Sequence, residues 1–180
     1  QRQGIGNVWI FPAGPLRAPL EAQLARAQAL VTVGTGDGAA IVERAARRRG
    51  LPIFRGRIEP DPQTQAALVG RRVLAFAGIA DPEKFFATLG EAGIVIAARQ
   101  PFADHHRYTA AEARDLLARA EAENLLLLTT EKDHVRLGGN RDLDALAERA
   151  SALPVRLVIE EDKGFRQMVL AAAQRGAARR

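Results

Sequence analysis

The sequence predicts an α/β fold of mostly parallel sheet with flanking helices. Three observations carry that reading. The strand-like runs, RVLAFAG at 72–78 and NLLLLTT at 124–130 above all, are continuously apolar rather than alternating, as expected of strands buried on both faces. These runs alternate with stretches of helical periodicity, which is how parallel strands are joined. The joints carry residue types that start and stop helices.

Taken in order, LEAQLARAQ (20–28) has helical periodicity and ALVTVG (29–34) is a short apolar, β-branched strand. AAIVERAARRRG (39–50) reads as a helix ended by glycine, and LPIFRGRIEP (51–60) as an extended segment closed by the turn PDP. A second series starts with the strand 72–78. DPEKFFATLGEAG (81–93) is a helix with Asp81 as N-cap and Pro82 at its first position. IVIAAR (94–99) is a strand. Thr109 and Glu112 have the spacing of a capping box for the helix 110–123. The strand 124–130 leads into a loop, then a helix at 141–151, a strand at 154–161 and a final helix at 164–176. The proline-flanked turn at Pro60 to Gln65 is the expected boundary between two subdomains.

Composition narrows the function. The chain has 180 residues and no cysteine, which excludes disulfides and thiolate chemistry and leaves histidine and carboxylate as metal ligands. No apolar run approaches the roughly 20 residues of a membrane span, and no signal peptide is visible. The chain opens on QRQGIGN rather than methionine, so we expect a piece of a longer protein. Its net charge is +5, from 23 arginines and 3 lysines against 21 acidic residues. The arginines are spread along the chain, and one Trp and one Tyr give little surface for base stacking. That points away from nucleic acid, and towards an anionic lipid surface or a phosphate-bearing substrate.

In open α/β sheets, ligands bind beyond the carboxyl ends of the strands. Here those ends run into GIADPEK, QPFADHHRY and EKDHVRL. If the strands are parallel, the three loops share one edge, and they hold all three histidines. Asp104, His105 and His106 are the candidate catalytic residues, since imidazole is the natural proton handler near neutral pH. In extended backbone the two adjacent rings point to opposite sides, so a metal site using both needs a bend. Glu131, Lys132 and Asp133 are candidates for substrate or phosphate binding, as is Arg17; the competing reading of TTEKD is a turn in which Thr130 or Asp133 caps a short helix. GTGDGAA (34–40) fits a dinucleotide fingerprint loosely, the commoner reading being a glycine-rich strand-to-helix turn. The chain lacks the phosphate loop G-x-x-x-x-G-K-[ST].

Five stretches together resemble one family: GN at 6–7, PAGPLRAP (12–19), LAFAGIADPEKFF (74–86), FADHHRYTAAE (102–112) and LLTTEKDHVRL (127–137). In this order and spacing they are similar to the C-terminal half of the bacterial tetraacyldisaccharide 4'-kinases. The resemblance implies part of a P-loop kinase-like fold lacking its N-terminal phosphate-loop half. It implies phosphorylation by ATP, with Mg2+, of the 4'-hydroxyl of an acylated glucosamine disaccharide 1-phosphate in lipid A biosynthesis. It also implies a cytoplasmic protein peripheral on the inner membrane, monomeric when complete, with nucleotide and metal bound mainly by the absent half. Residues 1–58 are then the end of the kinase core, 59–153 the smaller subdomain, and 154–180 a linker strand and a helix returning to the core. By motif, His105 is favoured over His106 as the histidine supporting the family's acidic base. No metal ligand set is expected in this chain, and the chain alone is expected to be inactive. Two rivals stand: an Asp-His-His manganese phosphoesterase, and a non-catalytic fragment that binds lipid or a partner.

Overall fold

A computed structural model describes residues 5–34 and 37–177. The chain divides into two compact units, one of residues up to Ile58 together with those from Leu157 onward, the other Glu59–Arg156.

The second unit is a four-stranded sheet built from β3 (Arg72–Ala77), β4 (Val95–Pro101), β5 (Leu126–Thr130) and β6 (Ala150–Leu153), in the order β4-β3-β5-β6. Every neighbouring pair is parallel. The central strand β3 explains its own composition: Val73, Leu74, Ala75, Phe76 and Ala77 are all wholly buried. Side chains alternate across a strand, so Leu74 and Phe76 face one cluster while Val73, Ala75 and Ala77 face another. The first cluster is closed by α5 (Ala110–Ala122), α6 (Glu131–Leu137) and α7 (Asp144–Arg149), through Leu116, Leu137 and Leu146. The second is closed by α3 (Pro62–Leu68) and α4 (Pro82–Glu91), through Leu68, Phe86 and Leu89.

Two helices of this unit start at the residues the sequence offered as caps. The Asp81 carboxylate accepts from Lys84 N with Pro82 in the first turn, and Thr109 with Glu112 makes both halves of a capping box. Three elements differ from the sequence expectation. Residues 62–68 form α3, started by Asp61, whose carboxylate accepts from Thr64 N at 3.0 Å. The expected loop after β5 is α6, capped by the Thr130 hydroxyl. The expected helix 141–151 breaks into a 3₁₀ turn at Arg141–Leu143, then α7, with Ala150 already in strand β6. Alanine has high helix propensity, but pairing of Ala150 with Leu127 overrides it.

The first unit carries β1 (Leu30–Val33), β2 (Ile53–Pro60) and β7 (Val155–Ile159), in the order β1-β2-β7, with α1 (Leu20–Ala25), α2 (Ala40–Arg48) and α8 (Asp162–Ala177). Both β2 and β7 carry the chain from one unit to the other. β1 and β2 are parallel, and Leu24, Val42, Ala45 and Ala46 form the unit's small core. The glycine-rich stretch 34–40 leads into a 3₁₀ turn at Asp37–Ala39, and Thr35 and Gly36 lie outside the described residues. In the loop before α1, the Asn7 side chain donates to Ala13 O and accepts from Trp9 N. A side chain on Gly14 would meet Asn7 Oδ1 and Trp9 O. Asn7 and Gly14 thus lock this loop, and Arg17 lies exposed on it.

Candidate active site

The site candidates of the second unit gather where its strands end. β3 runs out at Ala77, and the loop after β4 folds back over Gly78. Phe102 N donates to Ala77 O at 2.8 Å, and His105 N to Gly78 O at 3.0 Å. That approach leaves no room for a larger residue: a Cβ at Gly78 would sit 3.1 Å from His106 Cβ and 3.2 Å from Asp133 Oδ1. The return of the chain is made by His105 itself, in the left-handed region at φ +57°, a conformation non-glycine residues rarely adopt. Few residues tolerate it, and histidine is among them.

This turn separates the two rings. The His106 side chain is only 24% exposed. It stacks on Phe102 with ring centroids 4.7 Å apart and meets Tyr108 edge-on at 5.2 Å. Its Nε2 lies 3.0 Å from Glu112 Oε2, and a carboxylate only accepts, so Nε2 carries a proton and donates. Glu112 therefore has two jobs, since the same Oε2 also accepts from the Thr109 N and hydroxyl. Burial raises its pKa, but the hydrogen bonds from His106 and Thr109 outweigh that and hold the carboxyl below the usual glutamate value. A depressed carboxylate pKa stabilises the fold above the unfolded-state value, and that stability is lost as pH falls through the folded value. The stability measured by urea unfolding is expected to fall as pH drops below the ordinary glutamate value, and Glu112→Gln to lower stability at neutral pH and remove that part of the pH dependence.

His105 is the outward ring, with its side chain 80% exposed. Its Nδ1 lies 3.2 Å from Arg136 NH2, and its Nε2 lies 3.9 Å from Asp104 Oδ1, too far for a hydrogen bond. Arg136 NH1 donates to Asp133 Oδ1 at 2.9 Å and to Gly78 O at 2.8 Å. Asp133 is wholly buried; its Oδ2 accepts from Gly78 N at 3.0 Å and the Thr130 hydroxyl at 2.7 Å. Tyr108 completes the surroundings. Its hydroxyl is buried without a hydrogen bond. Burial, and then the nearby Asp133 charge, push the phenol pKa up, so it stays protonated.

The sequence-derived candidates therefore part company. Asp104, His105 and His106 share one loop, but only Asp104 and His105 face outward. Asp133 is corrected from a phosphate ligand to an internal anchor: both oxygens are occupied and it has no access to solvent. Glu131 accepts from Val155 N at 3.2 Å and ties α6 to the chain just after β6, within the second unit. Lys132 is exposed on the first turn of α6. His134 is structural, its Nε2 reaching Ala147 O and Ala150 O at 3.1 and 3.0 Å. Sequence reasoning missed Arg136. The signal was its i,i+3 spacing from Asp133, which places both on one helix face, and reading 131–137 as a loop concealed it.

Among the described residues, no group of three or more His, Cys, Asp or Glu side chains is placed to hold a metal ion. With no phosphate-cradling loop in the sequence either, these residues do not fit Mg2+ or the triphosphate of ATP.

A family model described as tetraacyldisaccharide-1-P 4'-kinase matches residues 1–174. A tetraacyldisaccharide 4'-kinase of Rhodopseudomonas palustris strain BisA53 is 51% identical over 179 residues, covering 99% of this chain and 51% of the relative. That of Nitrobacter winogradskyi is 45% identical over 168 residues, covering 93% and 50%. The chain thus spans about half the length of the curated relatives it matches. The crystal structure of LpxK from Aquifex aeolicus in complex with ATP aligns with a TM-score of 0.53 at 23% identity, over 90% of this chain and 47% of that one, a likeness of fold. By the family match over nearly its whole length, this chain belongs to the tetraacyldisaccharide-1-P 4'-kinase family.

Proposed function

We propose that the protein carrying this chain transfers the γ-phosphoryl group of ATP to the 4'-hydroxyl of an acylated glucosamine disaccharide 1-phosphate, in lipid A biosynthesis. One observation carries the assignment of residues: His105 presents an open imidazole beyond the ends of parallel strands, held from behind at Nδ1 by Arg136. Phosphoryl transfer depends on positioning and charge neutralisation more than on covalent chemistry by the protein. His105 is the imidazole that orients the reaction's acidic base, which is supplied from outside this chain. Asp104 stands beside its Nε2. Arg17 and Lys132 are exposed cations suited to substrate phosphate.

In this reading residues 1–58 and 154–180 belong to the kinase core, and 59–153 to the smaller subdomain that presents the histidine. ATP and Mg2+ bind the remainder of the family's length. The net charge of +5 suits an enzyme working at an anionic inner-membrane surface from the cytoplasmic side. Among the described residues no helix is long and apolar enough to cross a membrane.

The test is transfer of labelled phosphate from ATP to the acylated disaccharide 1-phosphate, by this chain alone and by the chain extended to the family's full length. Transfer is expected only from the extended protein. Transfer by the chain alone would show a nucleotide site within it, and silence from a folded extended protein would overturn the kinase reading.

A further inference from the structure

We infer that Arg136 is a positioning residue that locks His105 in one tautomer and one orientation, leaving Nε2 as the ring's single working atom. The inference rests on the kinase reading for its catalytic consequence, but its geometry stands on its own.

A guanidinium has five donors and no acceptor. Wherever Arg136 NH2 meets His105 Nδ1 at 3.2 Å, Nδ1 must offer its lone pair. The proton of the neutral ring then sits on Nε2, the outward atom. Three contacts make the grip firm. Arg136 NH1 is held by the buried Asp133 carboxylate and by Gly78 O. The His105 backbone N–H donates to that same Gly78 oxygen. Backbone and side chain of His105 are thus referred to one atom of the strand β3 terminus. The left-handed turn at His105 fixes where the ring leaves the chain. Arg136 itself is only 25% exposed, so its fork has little freedom.

The consequence for chemistry is directional. With Nδ1 occupied, His105 exchanges protons and hydrogen bonds with a reacting group through Nε2 alone. In its resting tautomer it donates there, which suits a carboxylate or phosphate oxygen brought against it. Lysine cannot replace arginine in this arrangement. A single ammonium is a point charge and lacks the planar fork that spans Asp133, Gly78 O and the imidazole together.

The experiment uses the chain labelled with ¹⁵N-histidine, in which long-range proton–nitrogen correlations report the tautomer of each ring at a pH where the rings are neutral. The sequence has three histidines, and two serve as internal controls. His106 Nε2 faces the Glu112 carboxylate and His134 Nε2 faces two carbonyl oxygens, so both carry Nε2–H independently of Arg136. The expected result is a single Nε2–H form for His105, moving in Arg136→Met to the averaged shifts of a freely exchanging ring, while His106 and His134 stay put. Unchanged His105 shifts overturn the inference. Where Arg136→Met disturbs the His134 signal, Arg136→Lys is read in its place, and retention of the wild-type His105 tautomer there overturns it equally. In the extended kinase, Arg136→Met is expected to lower kcat on the order of 10²-fold with KM unchanged. A rise in KM alone, or an unaffected kcat, removes the positioning role. A tautomer shift in a protein that transfers no phosphate keeps the Arg136 grip and removes the kinase reading instead.

Discussion

Replacing Asp133 by alanine is expected to destabilise the Glu59–Arg156 unit by about 3–5 kcal/mol, the loss typical when one partner of a buried ion pair is removed. The reason lies in what the carboxylate satisfies. Its two oxygens accept from Gly78 N, the Thr130 hydroxyl and Arg136 NH1, and the side chain has no access to water. Removing it leaves a buried backbone donor at the end of β3 and a largely enclosed guanidinium without its counter-charge. Each such orphan carries a full desolvation penalty. Domains of this size are stable by only about 5–15 kcal/mol, so the variant should lose a large share of the unit's stability. Urea unfolding followed by circular dichroism measures it. Asp81→Ala is the comparison, since Asp81 makes one exposed capping bond to Lys84 N and should lose only about 1 kcal/mol. A similar small loss at Asp133 would show that water or a neighbour replaces the anchor.

The sequence foretold the scaffold better than the site, for reasons of distance along the chain. β3 was legible because an unbroken apolar run can only be buried on two faces, and α4 and α5 because Asp81 with Pro82, and Thr109 with Glu112, act within one helical turn. α6 was not: EKDHVRL has five ionisable residues in seven, and its stability comes from Asp133 reaching back to Gly78, a partner 55 residues away. β6 hid in an alanine-rich helix because its strand character comes from β5. At the site, Asp104 and the two histidines were readable as chemistry, but their division of labour was not. It is decided by the φ of His105 and by Arg136, 31 residues downstream. The same distance misassigned Asp133, which looks like a loop carboxylate until the fold buries it.

His105→Ala, made in the chain extended to the family's full length, is expected to lower turnover by roughly 10²-fold, the loss typical when a catalytic group loses the partner that orients it. The melting temperature should hardly move, because the ring is 80% exposed and removing it leaves Arg136 NH1 on both of its other partners. His106→Ala should do the reverse. That ring sits in a stack with Phe102 and Tyr108 and donates to Glu112, so its loss should weaken the fold by about 1–3 kcal/mol through an empty slot and the loss of one of the donors to the Glu112 carboxylate, which keeps those of Thr109, with turnover falling far less. The pair of variants separates chemistry from support within two adjacent residues. Equal losses of turnover at both positions would mean that the whole loop, rather than one imidazole, is what the reaction needs. A near-normal turnover for His105→Ala would remove it from the mechanism and leave Asp104 as the group to change next, since it is the other exposed residue of the three candidates in that loop.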